Sequence, residues 1–242
     1  MIARLIRAEL AGLRRSLVVW LGMLLVVGGS VVARLLAWLS NAIGRTELGA
    51  LPFMRPDMGW SDVAIPLALL AYLIVTSYVF GRDFEDGNID LILTAPVSRE
   101  AVVAARTIVT AASVLVLCLL GWAADVATHA ILASSPLDPG PAISATAAIA
   151  SALAAIGTLP VVAWAAIRFR GVLPALGLGI GIQITALLLG GFPLVRLLPW
   201  LLPSTLAAGE AVSVLAFGLS ALLFAGGMAA TVRGLRSVDL YE

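Results

Sequence analysis

The sequence predicts an all-α membrane protein, with one helix lying along the bilayer and six crossing it, and three observations carry that prediction. Mean hydropathy is +1.07, with 61% hydrophobic residues and only 12% charged, about half of the ~25% usual in soluble domains. The apolar residues fall in runs near the ~20 that one transmembrane helix requires, so about six spans occupy nearly the whole chain. The basic residues are all arginine, and they gather at alternate gaps between those runs. A single membrane domain over residues 1–242 is expected, with any chemistry that needs a large soluble fold on another polypeptide.

Residues 1–15, MIARLIRAELAGLRR, are too charged to span. Ile2, Leu5, Ile6, Leu10, Leu13 and Leu17 share one helical face and Arg4, Arg7, Arg14 and Arg15 cluster opposite, the pattern of a helix in the headgroup plane. A signal peptide is the rival reading of a basic start before an apolar run. The run from Leu17 to Ala33 is longer than a usual signal core, and no small-residue cleavage site follows it. Glu9 projects toward the apolar side, either as a snorkelling carboxylate paired with a nearby arginine or as a contact to the protein's own helices.

Spans are expected at 17–38, 61–80, 104–130, 142–167, 172–192 and 211–232. With the N-terminus inside, Arg4, Arg7, Arg14, Arg15, Arg82, Arg99, Arg106, Arg168, Arg170, Arg233 and Arg236 fall on the cytoplasmic side. Only Arg34, Arg45, Arg55 and Arg196 fall at or near the outside. The positive-inside rule then places both termini in the cytoplasm of a multi-pass plasma (inner) membrane protein. The outer loop from Asn41 to Trp60, with Pro52, Pro56 and Gly59, reads as a connector or lid. Pro160 should kink the fourth span, and Gly177 and Gly181 offer a small-residue pair for close helix approach in the fifth. Residues 193–210, broken by Pro193, Pro199 and Pro203, are too short to cross twice. They read as a re-entrant or interfacial outer segment capping an internal cavity, with Trp200 near the headgroups.

Residues 81–100, GRDFEDGNIDLILTAPVSRE, hold five of the 14 acidic residues: Asp83, Glu85, Asp86, Asp90 and Glu100. Asp86-Gly87 supplies a turn, Asn88 a cap for a short helix through Leu93, and Pro96 its end. Ser98 followed by Glu100 makes a favourable start for the third span. The predicted object is a short helix between two membrane helices, with acids on one side and Ile89, Leu91, Ile92 and Leu93 available for contact. Acids beside the inner leaflet gain nothing from anionic lipid, but they suit a basic groove on a soluble partner. The alternative is a solvated loop whose acids balance Arg82, Arg99 and Arg106.

The run Asp83-Phe84-Glu85-x-Gly87-x-Ile89-Asp90-Leu91-x-Leu93-Thr94-x-Pro96-Val97-Ser98-Arg99 resembles the permease subunit of ABC-2 type (type-2 ABC exporter-like) transporters. Asn88 stands where that family usually has Thr, which implies an altered cap within the same architecture. The resemblance extends over the N-terminal interfacial helix, the six spans and the proline-broken segment before the sixth. It implies that segment 81–100 is a cytoplasmic coupling helix docking on an ATPase subunit, through Asp83, Glu85, Asp86, Gly87, Asp90, Leu91, Leu93, Pro96, Ser98 and Arg99. It further implies a pair of ATPase subunits that bind ATP and Mg, a second permease copy or a related permease, and export of an amphipathic or hydrophobic substrate.

A chain without lysine has no Gly-x-x-x-x-Gly-Lys-Ser/Thr phosphate loop. No cofactor and no nucleic acid are expected on it, and catalysis of ATP hydrolysis is expected on the partner. Asp125 and His129, four residues apart near the outer end of the third span, share a helical face and suit a cation or a proton relay; an interfacial position is the plainer reading. Gln183, Thr185 and Glu210 are further candidates for a translocation path. His129 is the only histidine, so neither a hydrolase triad nor a metal site is expected. Cys118 reads as a small packed residue. Two rival functions remain open at this level: a secondary transporter using Asp125, His129 or Glu210 as a proton site, and a membrane anchor for a partner complex.

Overall fold

The computed structural model describes residues 2–43, 60–94, 96–133, 143–189, 192 and 197–238. Helix α1 spans Ile2–Arg15 and α2 Leu17–Ile43. They meet at Ser16, whose Oγ accepts from Val18 N at 3.1 Å and so caps α2. Then come α3 (Trp60–Glu85), α4 (Ile89–Thr94), α5 (Arg99–Leu132), α6 (Ala145–Ile156) and α7 (Leu159–Arg168). The chain continues with α8 (Val172–Leu189), α9 (Leu202–Ala207) and α10 (Val214–Arg236). Among the described residues there is no strand, and six helical stretches are long and apolar enough to cross a membrane, α6 and α7 counting together as one.

Helix α3 is the centre, packing against α2, α5, α7, α8 and α9. Its Ala64, Ala68, Ala71, Val75 and Val79 are buried and recur at the spacing of one helical face. Lipid tails are as apolar as leucine, so helices in a bilayer gain little from burial and associate through close fit. The small residues supply that fit. A Cβ at Gly121 of α5 would lie 2.6 Å from Val26 Cγ1, and one at Gly179 of α8 would lie 2.7 Å from Leu73 Cδ2. The pair singled out in the sequence, Gly177 and Gly181, meets no neighbouring atom within 4 Å; the glycine between them is the one against α3.

The fourth span differs from expectation. It is broken, not kinked: α6 ends at Gly157 and α7 begins at Leu159, which places Pro160 in the first turn of a new helix, where its missing N–H costs nothing. The polar groups at the break are satisfied inside the protein. Thr158 Oγ1 donates to Ala155 O at 2.8 Å, and Thr231 Oγ1 of α10 lies 3.2 Å from Pro160 O. Gly227 of α10 makes that approach possible, since a Cβ there would sit 2.7 Å from Pro160 Cβ.

Trp200 is buried with Ala186 and Leu201, and α9 packs onto α6 and α3. Arg34 is buried within α2. Pro193 and Arg196, and residues 44–59 of the outer connector, lie outside the described residues.

Candidate functional site

Most of the arginines gather at one end of the bundle, called here the basic end, and segment 81–100 sits there. Helix α3 runs on through Glu85, beyond the expected span, and stops at Gly87. Gly87 has φ +67°, a left-handed conformation that glycine adopts without a Cβ penalty. The Asn88 N–H donates back to Asp83 O at 2.9 Å, which is the closing bond of a Schellman motif. The six residues of α4 follow. Pro96 stands just past them, and Ser98 caps α5 by accepting from Ala101 N at 3.3 Å. The turn at Gly87 and the cap at Ser98 therefore act where the residues place them.

Both flanks of the segment are pinned. On the α3 side, Asp83 is buried and forms an ion pair with Arg106 of α5. Arg106, only 3% exposed, also donates from Nε to Glu9 Oε1 of α1 at 3.0 Å. Glu9 receives Arg82 Nη2 at 2.5 Å on its other oxygen, and Arg82 lies over the Tyr78 ring at 5.5 Å, a cation–π contact. The odd carboxylate of the N-terminal helix thus answers both descriptions offered for it: it pairs with arginines, and those arginines belong to α3 and α5. Glu85 Oε1 accepts the Val172 N–H at 2.7 Å, holding the start of α8. Gly81 lets that turn close, because a Cβ there would lie 2.7 Å from Val172 N.

On the α5 side, Arg99 Nη1 donates to Leu235 O at 3.0 Å and Arg236 O at 2.6 Å, satisfying terminal carbonyls of α10. Arg236 Nε in turn donates to Glu100 at 2.8 Å. Between these pins Asp86, Asp90, Thr94, Pro96 and Ser98 are exposed, and Leu91 is 70% exposed. Neither Asp86 nor Asp90 makes an ion pair with a described residue. Leu93 lies within α4. Nine of the ten residues singled out here therefore divide: Asp83, Glu85 and Arg99 bind the protein's own helices, Gly87 and Ser98 shape the turns, and Asp86, Asp90, Leu91 and Pro96 face outward.

The membrane candidates fare differently. Asp125 is fully buried, and its Oδ1 and Oδ2 accept from Arg34 Nη2 at 2.7 and 2.8 Å, with Arg34 Nε at 2.9 Å from Oδ1. Ile143 N adds a bond of 3.3 Å to Oδ2. His129, one turn further on, has its Nδ1 buried without a hydrogen-bond partner among the described residues. Gln183 is buried with Oε1 in the same condition. Thr185 is exposed and bonds its own helix at Gly181 O, 2.8 Å away. Glu210 is exposed beyond α9, its N–H donating to Thr205 O. No group of three metal-ligating side chains occurs among the described residues. Arg34 and Arg106, which the sequence analysis counts as topology markers and not as site residues, are cations that hold Asp125 and Asp83. Their positions, each inside a helix that also carries an apolar run, were the available signal.

Among the described residues six apolar spans, with the buried α3 among them and paired charges inside, define a multi-pass α-helical membrane protein. Residues 5–186 match the family model described as "ABC-2 family transporter protein", well over half of the chain, and the protein belongs to that family. It is accordingly a membrane-spanning component of a transporter. A search of curated proteins finds no match.

Proposed function

We propose that this chain is the permease subunit of an ATP-driven exporter and that residues 86–98 are where a separate ATPase grips it. The basic end then faces the cytoplasm, two permeases combine with two ATPase subunits carrying ATP and Mg, and the substrate is amphipathic or hydrophobic. The observation that carries the reading is the contrast within segment 81–100. Its middle presents Asp86, Asp90 and Leu91 to solvent, while its flanks are fastened to other helices.

A push on α4 would reach α5 through Asp83 and Arg106, α8 through Glu85, and α10 through Arg99. Such a fastened element transmits a displacement where a free loop would absorb it, because packed helices shift as units between discrete arrangements. The hold of Arg34 on both oxygens of Asp125 takes away support from the proton-site reading of that residue.

Reversing Asp86 and Asp90 to arginine tests the reading with side chains that make no ion pair with a described residue. Recovery of the ATPase on purified permease should fall about tenfold or more, the scale expected when charge complementarity across an interface is inverted, with membrane insertion unchanged. Equal recovery would overturn the docking site. Pro96→Ala should leave assembly intact and lower transport-stimulated ATPase activity.

A further inference from the structure

At the basic end, α1, α2 and α5, with Val75 of α3 behind them, line an open-sided cavity of about 340 Å³, near the lower limit of small-ligand pockets. Its wall is hydrocarbon: Leu13 from α1, Val19 and Met23 one turn apart on α2, and Val116 with its neighbours on α5. The small side chains of Ala112 and Ser113 widen it on the α5 side. The hydroxyl in this lining, Ser113 Oγ, donates to Val109 O of its own helix at 2.8 Å and so presents no polar group to the space. Arg14 also lines the cavity, yet it is exposed and makes no ion pair or hydrogen bond with a described residue.

We propose that this cavity is a binding site for one anionic phospholipid, with an acyl chain between α1, α2 and α5 and the phosphate on the Arg14 guanidinium. An alkyl chain fills such an apolar space without losing anything it had in the bilayer. Selection falls to the head group, where guanidinium and phosphate make paired charge-assisted hydrogen bonds. Charge complementarity favours the anionic lipid: Arg7 and Arg15 add to the local field, and Glu9, the one acid of α1, is turned away to Arg82 and Arg106. The site does not depend on the ATPase reading.

The test is native mass spectrometry of the intact chain in detergent, titrated with phosphatidylglycerol and with phosphatidylcholine of the same acyl chains. One phosphatidylglycerol per chain should be retained in preference to phosphatidylcholine. Arg14→Gln should lower that retention about fivefold, the factor corresponding to ~1 kcal/mol per arginine at an anionic surface. Ala112→Leu should lower it by filling the cavity with Arg14 intact, and Arg4→Gln should leave it unchanged. Equal retention of the two lipids, an Arg14→Gln or Ala112→Leu variant that binds like the parent, or an Arg4→Gln loss as large as that of Arg14→Gln would each overturn the proposal. The last would mean diffuse attraction to α1.

Discussion

Among the described residues two charge clusters sit inside this membrane domain, and they are built differently. Toward the end opposite the basic one, Arg34 and Asp125 form a pair that is 5% and 0% exposed, joining α2 to α5 through a two-pronged contact. At the basic end Glu9, Arg82, Asp83 and Arg106 form a group of two cations and two anions that ties α1, α3 and α5 together. In the pair one carboxylate takes the Nε and Nη2 of one guanidinium, so these contacts go together when either residue is changed. In the group each member has an alternative: when one partner leaves, Glu9 and Asp83 still have Arg82, whose Nε lies 3.7 Å from Asp83 Oδ1. Burial sets how much is at stake, and the number of partners sets how much is lost.

Breaking the pair should therefore have the largest effect. Asp125→Leu removes the buried carboxylate that takes Arg34 Nε and Nη2, and the expected loss is about 3–5 kcal/mol, read as a lowered thermal midpoint in detergent or as poor recovery from membranes. The double variant Arg34→Met with Asp125→Leu removes both charges and should recover most of that loss. A double variant as unstable as the single would show that the pair is not what the site depends on.

Removing one member of the group should cost less. Arg106→Ala is expected to destabilise by about 1–3 kcal/mol in the same assay, because Arg82 takes over part of its role. A loss equal to that of Asp125→Leu would erase the distinction drawn between the clusters. Gly81→Ala, a few residues away, brings a Cβ against the backbone at Val172 and should cost a similar ~1–3 kcal/mol by overpacking, with no charge changed. Smallest of all is the exposed pair Glu100–Arg236. Glu100→Gln should leave the thermal midpoint unaltered at physiological salt, where exposed ion pairs are screened.

Much of the basic end was legible because its signals are local. Gly87 marks a left-handed stop, Ser98 an N-cap and Pro96 a helix end, and each rule needs only neighbouring residues. Pro160 shows the limit of the same reasoning. A proline inside an apolar run signals disturbance, but whether the helix kinks or breaks is decided by Thr231 and Gly227 on α10, some seventy residues away. Asp83 shows it again: next to Glu85 and Asp86 it reads as one more surface acid, and only the packing of α5 against α3 turns it inward to Arg106.

By itself the sequence determined the six spans, the separate N-terminal helix and the turn chemistry at Gly87 and Ser98. Bilayer thickness, helical periodicity and backbone sterics each act over a few to some twenty consecutive residues. The partners of the buried charges were decided only by tertiary structure. Arg34 and Asp125 are 91 residues apart, and Coulomb attraction at a few ångströms leaves no trace in the spacing along the chain until the helices that carry the charges have packed.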